Sequence, residues 1–350
     1  MADINVNLKS FEPFNGMRRG KLHLELSGKD CNLPFVNAIG RIATKRIPVY
    51  AYAKELIQIH RINPETGFHD SVPFNYDMIR NRIKNTPVVG IDPEISYLHE
   101  KYWKNADYLD KKREKHENEK EVEANINIEN RTDDILHVTT NDMLIYVNDK
   151  IQELYGKEYP FLIISLKPSE AFKCSLKAVV GIGLNDTCWD SAGNYWYDEN
   201  DGKIDFFIEG NLCYDEFKLI SRSLEYFKLR TKLLKEEIKR QYSLDKEKKE
   251  NFQVKIVDED HTFGQIINYE IQSHKNIKKS SISKPSLLVR EIILDIIVSP
   301  DNVKSMIDFV MEAFDNLMNK IDVFEREYNK LLNSDKPKSK SNPKTKKIEN

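Results

Sequence analysis

The chain has 350 residues, with 54 Lys plus Arg against 56 Asp plus Glu, for a formal net charge of −2. That length suggests two or three domains able to bury cores, and the balanced charge excludes a global basic field of the kind that wraps nucleic acid. Four cysteines, Cys31, Cys174, Cys188 and Cys213, lie far apart with no disulfide or zinc spacing, and no targeting or ~18-residue apolar segment is visible, so a reducing, intracellular compartment is expected.

Ile4, Val6 and Leu8 alternate with polar residues, as do Leu22, Leu24 and Leu26, which reads as two half-buried strands of a hairpin. From Leu33 the period changes. Leu33, Val36, Ile39, Ile42 or Ala43 and Ile47 share one helix face, and Pro48 stops that helix. A strand over Ala51 to Ile62 runs into the turn Asn63-Pro64-Glu65-Thr66-Gly67, and a helix over Phe74 to Lys84 precedes Pro87.

Between Gly90 and Gly202 the character shifts. The run Lys111 to Glu121 is nearly all charge of both signs, which predicts a solvated helix or mobile loop. Ile126 and Ile128, Ile135 to Thr140, Met143 to Val147, Phe161 to Ile164 and Leu176 to Val180 then read as short strands of a β-rich inserted domain. Gly181-Ile182-Gly183 lacks the third glycine and the strand-to-helix setting of a dinucleotide loop, so it predicts a tight turn.

The first domain resumes with a strand over Ile204, Phe206 and Ile208. A long helix follows, with the stripe Phe217, Ile220, Leu224, Phe227, Leu234 and Ile238. The polar stretch Ser243 to Asn251 predicts a linker. Beyond it, a strand over Val254 to Val257 enters the acidic turn Asp258-Glu259-Asp260, whose carboxylates suit the positive end of a helix over Thr262 to Gln272. A strand with Ile292, Leu294, Ile296 and Val298 on one face leads to Ser299 as cap and Pro300 in the first turn. Val303, Ile307, Val310, Phe314, Leu317, Ile321, Phe324, Tyr328 and Leu331 then trace a stripe on one helix. Thirty helical residues span ~45 Å, more than one small domain covers, so part of the stripe must lie against another module. The lysine-rich tail Ser334 to Asn350 is expected to be disordered.

The expected fold class is α+β: two modules forming an internal pseudo-dimer, with a β-rich insert in the first. The boundaries are 1–90 with 203–242, insert 91–202, linker 243–252, second module 253–333 and tail 334–350. Module pairing is assigned to Phe227, Leu234, Phe314, Leu317, Ile321 and Phe324. No catalytic, cofactor or metal constellation is legible; Cys188 beside Trp189 lacks a nucleophile motif, and His261 sits in a capped turn.

Four marks carry a family resemblance. Glu259-Asp260-His261-Thr262-Phe263-Gly264 resembles the Glu-Asp-His-Thr-Leu-Gly signature of the small α-like subunit, called L in archaea, of multisubunit DNA-dependent RNA polymerases. Asn37-Ala38-Ile39-Gly40-Arg41, with Ile47-Pro48, resembles the Asn-Ala-Leu-Arg-Arg helix and valine-proline of the larger α-like chain, called D in archaea. Met78 to Ile83 with Thr86 to Val89 is similar to the larger chain's His-Arg-Leu-Gly segment, and Gly181-Ile182-Gly183 with Trp189 to its Gly-Ile-Gly…Lys-Trp loop. The order resembles both α-like subunits fused head to tail, as in the polymerase of large DNA viruses of eukaryotes. The resemblance implies a non-catalytic assembly subunit, in the cytoplasm or nucleus of a host and packaged in the virion in some cases. Its partners would be the largest, second-largest and small polymerase subunits, with DNA reached only through the complex, and docking would involve Arg41, Arg82 and Trp189. Where some members of the family carry a cysteine cluster in the insert, this chain has none between Gly90 and Phe172. The alternatives are a free-standing scaffold built on a helical dimer and, more remotely, a cysteine hydrolase.

Overall fold

The computed structural model describes residues 2–16, 18–71, 75–110, 112–245, 250–286 and 288–334. Strands β1 (Asn5–Glu12) and β2 (Lys21–Ser27) pair as a hairpin, and α1 (Leu33–Lys45) follows, capped by the Asn32 side chain, which accepts from the Phe35 amide. Next come β3 (Val49–Tyr52), β4 (Gln58–His60), β5 (His69–Asp70), α2 (Tyr76–Lys84) and the single turn α3 (Glu100–Trp103). The expected helix start at Phe74 lies outside the described residues. Six strands follow: β6 (Val122–Glu129), β7 (Leu136–Thr139), β8 (Leu144–Val147), β9 (Lys150–Ile151), β10 (Leu162–Leu166) and β11 (Glu170–Gly181). Strands β12 (Ala192–Asn200) and β13 (Lys203–Gly210) lead into α4 (Glu216–Leu244). The remainder is β14 (Asn251–Val257), α5 (His261–Gln272), β15 (Ile277–Ser283), β16 (Glu291–Val298) and α6 (Met306–Ser334).

Among the described residues the strands form four sheets: β1-β2-β13-β12; β14-β16-β15; a larger one in order β3-β11-β6-β8-β9, with β4 and β5 also on β11; and the pair β10-β7. One chain order recurs in the first two. Strand, helix, strand, strand, helix is β2-α1-β12-β13-α4 in one and β14-α5-β15-β16-α6 in the other, and in each the strand before the long helix is the middle one. Both short helices approach their sheets through a glycine. A Cβ on Gly40 would stand 2.1 Å from the Tyr195 ring on β12, and one on Gly264 would stand 2.9 Å from Ile292 on β16. Gly40 stands where the resembled helix has its first arginine, and the Tyr195 ring leaves no room there for a side chain.

Residues 49–181, carrying β3 to β11, intervene between α1 and β12. Ala51 and Tyr52 pair with β11 and so belong to the sheet of the intervening body, while β12, placed by expectation before residue 203, joins the first sheet. The sheet boundaries therefore fall near 49 and 181 rather than 91 and 202. The reason is pairing across more than a hundred residues, which local periodicity does not carry. Ser243 and Leu244 complete α4 and Asn251 and Phe252 begin β14, so of the expected linker only 246–249 lies outside the described residues, as do 335–350 of the tail. Ser299 makes no side-chain capping bond; a 3-10 turn over Pro300–Ser305 starts the last helix instead.

Two cores result. One joins α1, α4 and the β1-β2-β13-β12 sheet to β14-β16-β15, α5 and α6, and the other fills the intervening body. Phe227, Leu234, Phe314, Leu317, Ile321 and Phe324 are all buried in the first. Phe35 of α1 lies between Phe227 of α4 and Phe324 of α6, with ring centroids 5.7 and 5.8 Å away. The Tyr328 hydroxyl on α6 donates to the Phe217 carbonyl on α4 at 3.0 Å, and Lys228 pairs with Asp322 at 2.6 Å along the rim. Among the described residues no helix is long and apolar enough to cross a membrane.

Candidate functional site

The acidic turn before α5 is set by its own backbone. Asp258 adopts a left-handed conformation (φ 59°) and its amide donates to the Arg290 carbonyl at 2.7 Å, which swings Glu259 inward. The Asp260 side chain then caps α5, accepting from the Thr262 amide at 2.8 Å. Because the end of α1 and the start of α5 lie side by side, the turn meets the cations of the other half of the molecule.

Glu259 has no exposed side-chain surface, and two arginines hold it. Arg46, at the end of α1, donates Nη1 to Oε1 at 3.2 Å and Nη2 to Oε2 at 2.9 Å; Arg230, on α4, donates Nε to Oε1 at 2.6 Å. Arg46 also reaches Asp260 Oδ1 at 3.3 Å and the Tyr226 hydroxyl at 3.4 Å, and its guanidinium lies 5.4 Å from the Phe263 ring centre. The bidentate fork uses the geometry that distinguishes arginine from lysine. Burial alone would loosen the Arg46 proton, but the charges of Glu259 and Asp260 more than reverse that and raise its pKa. Burial alone would likewise raise the Asp260 carboxyl; the charge of Arg46, the hydrogen bonds from Thr262 and the charge of Arg41 outweigh it and hold the group at about 2.

The intervening body touches the same turn. Lys104, just past α3, pairs with Asp258 at 2.7 Å, and Arg290 donates to the Asp258 carbonyl at 3.3 Å with its guanidinium 5.9 Å from the Trp103 ring centre. A cleft of about 200 Å³ remains between these parts, lined by Arg46, Arg230, Arg290, Tyr97, Trp103 and Glu259 among others. Its chemistry is that of a clamp. Glu259 is sealed from solvent, and Asp260, held at about 2, is too weak a base for proton transfer near neutral pH.

The docking residues expected from sequence fare differently. Arg41 does not stand free: its Nε donates to Thr262 Oγ1 at 2.7 Å and Nη2 lies 4.0 Å from Asp260, because α5 starts beside it. Its side chain is still 47% exposed. Arg82 is at the surface and ties α2 to β10 by donating to the Ile163 carbonyl at 2.9 Å. Trp189 is corrected from a docking residue to a core residue. It is 3% exposed and its indole N–H donates to the Val179 carbonyl at 3.0 Å, as a buried Trp must find a partner. Sequence reasoning missed Arg46, Arg230 and Arg290. The available signal was three successive carboxylates, Asp258 to Asp260, with a single lysine, Lys255, close by in the chain.

Burial pushes the Cys31, Cys174 and Cys213 thiols up to about 12 and, with the charge of Asp186, raises Cys188 further. Thiols raised in this way carry little thiolate at neutral pH, which weighs against the cysteine-hydrolase alternative. His261 is exposed at the start of α5. Among the described residues no group of three or more His, Cys, Asp or Glu could hold a metal. Within the charged run, Arg113 and Glu119 are buried as an ion pair, so part of it is ordered by folding back on itself.

Acid sensitivity follows from Asp260 and from Asp92; burial alone would raise Asp92, but its bonds to Lys218 and Arg222 hold it at about 2. Both values lie below the ~3.9 of an unfolded chain, so their stabilisation is complete above that pH and is lost as pH falls from about 4 toward 2. Urea midpoints measured across that window should fall steeply. Asp260→Asn, which keeps a capping acceptor, should flatten the fall; an unchanged profile would contradict the assignment.

No family model matches the chain. Over 313 residues the chain is 23% identical to a protein of Acanthamoeba polyphaga mimivirus that carries the provisional name of a DNA directed RNA polymerase subunit; the match covers 84% of this chain and 85% of that protein.

Proposed function

We propose that this chain is a subunit of a viral DNA-directed RNA polymerase, and within it a non-catalytic assembly platform in which two α-like modules form an internal pseudo-dimer. The similarity to the mimivirus protein along most of both chains supports the polymerase subunit. The observation that carries the platform reading is the recurring strand-helix-strand-strand-helix order, with both copies sharing one core and the Glu259 carboxylate of one held by Arg46 and Arg230 of the other. A buried charge cluster adds little net stability, because desolvation offsets its attraction; what it supplies is register, since any other pairing would strand charges. Fusion makes the pairing intramolecular, so it no longer depends on the concentrations of two chains.

In this reading the partners are the two large catalytic subunits and the small polymerase subunits, and the open edge of the Arg41 guanidinium, with Arg82, contributes to docking. The chain acts inside the infected host cell. A tagged copy recovered from infected cells should bring down two chains above ~100 kDa identifiable as polymerase subunits by mass spectrometry. Recovery of the chain alone would favour a free-standing scaffold.

The pseudo-dimer has a separate test. A protease site inserted in 246–249 and cleaved should leave 1–245 and 250–350 eluting together on gel filtration at micromolar concentration. Separation of the fragments would count against it.

A further inference from the structure

Residues 271–290 contain no Asp or Glu, in a chain with 56 of them, yet they hold Lys275, Lys278, Lys279 and Lys284. These lysines lie on and around β15, the outer strand of its sheet, which has one neighbour, β16. Adjacent residues of a regular strand point to opposite faces. Here the register shifts between Ile277 and Lys279, and the result is a buried Ile277, two exposed lysines and a buried Ser280. The bulge thus turns both ammonium groups to solvent. Lys275 is exposed in the turn before the strand and Lys284 is partly exposed beyond it. Among the described residues none of the four forms an ion pair. Cations on neighbouring elements do: Lys255 pairs with Glu291 at 2.6 Å and Lys320 with Glu270 at 2.8 Å.

We infer that this row is a sequence-independent binding site for the phosphate backbone of a nucleic acid. Lysine on an edge strand is a common guard against edge-to-edge aggregation. That role needs only the strand itself, whereas this row continues past both of its ends. At ~3.3 Å per residue the strand alone covers about 20 Å, comparable to several successive phosphates of a duplex. Lysine is depleted from protein interfaces, which are anchored by aromatic residues and arginine, and the row contains neither. The hydroxyls of Ser281 and Ser283 beside it are ordinary phosphate donors. The site gives the chain a direct hold on nucleic acid and does not depend on the polymerase reading.

The test uses the full-length chain and a fluorescein-labelled 30-base-pair duplex of scrambled sequence, with binding read by anisotropy. Four lysine–phosphate contacts predict a slope of log K against log salt near −3.6, so affinity should drop about 10²-fold between ~50 and ~200 mM salt. Changing Lys275, Lys278, Lys279 and Lys284 together to Gln should abolish most of that slope, and Lys278→Gln with Lys279→Gln should remove about half of it. A full-length control with Lys336, Lys338, Lys340, Lys344, Lys346 and Lys347 changed to Gln should retain the row's contribution. Thermal melts by circular dichroism confirm that the variants fold. The proposal is overturned if the wild-type chain does not bind, if the row variant binds as tightly as wild type, or if the tail control loses all binding. Polyglutamate displacing the duplex at equal charge would also overturn it, in favour of an acidic protein segment.

Discussion

Glu259→Ala is expected to lower the stability of the fold by about 3–5 kcal/mol, the usual consequence of removing one partner from a buried ionic cluster. Arg46 and Arg230 would keep their positions beneath α5 with no counter-charge, one of them 3% exposed and the other 9%. Asp260 could take up part of the Arg46 charge, being 3.3 Å from it, but it already caps α5. Changing the whole cluster to apolar residues, Arg46→Met, Arg230→Met and Glu259→Leu, should recover much of the loss, because it is the stranded charges and not the missing attraction that destabilise. Urea unfolding at neutral pH measures both. A loss below ~1 kcal/mol for the single variant would mean that the arginines find water or other partners, and the cluster would then hold no register.

Leu317→Asp should do more damage. Leu317 is 1% exposed, mid-way along the buried stripe of α6. Truncating such a leucine costs about 2–5 kcal/mol, and a carboxylate without a partner adds several more. The sum rivals the whole stability of an ordinary domain, ~5–15 kcal/mol, so the variant should fail to accumulate in soluble form. Leu317→Met conserves volume and should cost less than ~1.5 kcal/mol. Soluble yield and melting temperature distinguish the two, and unchanged values for Leu317→Asp would place this face of α6 in solvent.

Elements governed by local rules were legible in the chain. The alternation of Leu22, Leu24 and Leu26 and of Ile292, Leu294, Ile296 and Val298 matches strands, and the stripes of α1, α4 and α6 match helices, because a regular backbone repeats its buried face at a fixed period. Apart from the two-residue strands β5 and β9, two strands escaped notice, each where the period breaks: β15 at the Lys278-Lys279 bulge and β12 at the irregularity between Ala192 and Asn194. The Ser299 cap failed for a related reason. A Ser-Pro start states that a helix is near without stating that its first turn is 3-10.

The site divides along the same line. By itself the sequence determined that the acidic run Asp258 to Asp260 precedes a helix and suits its positive end, that no nucleophile or metal motif is legible, and that the long apolar stripe of α6 exceeds what its own small sheet can cover. Only the tertiary structure decided which cations answer the acids. Arg46 lies 213 positions from Glu259 and Arg230 lies 29 away, and neither spacing carries a periodic signal. It also turned Arg41 onto Thr262, placed Trp189 in the core and moved the edges of the intervening body to 49 and 181. The physical reason is common to all of these: a hydrogen bond or ion pair acts over ~3 Å in space, whatever the separation along the chain, while the pattern readable in a sequence reports only the face a residue turns to its nearest neighbours.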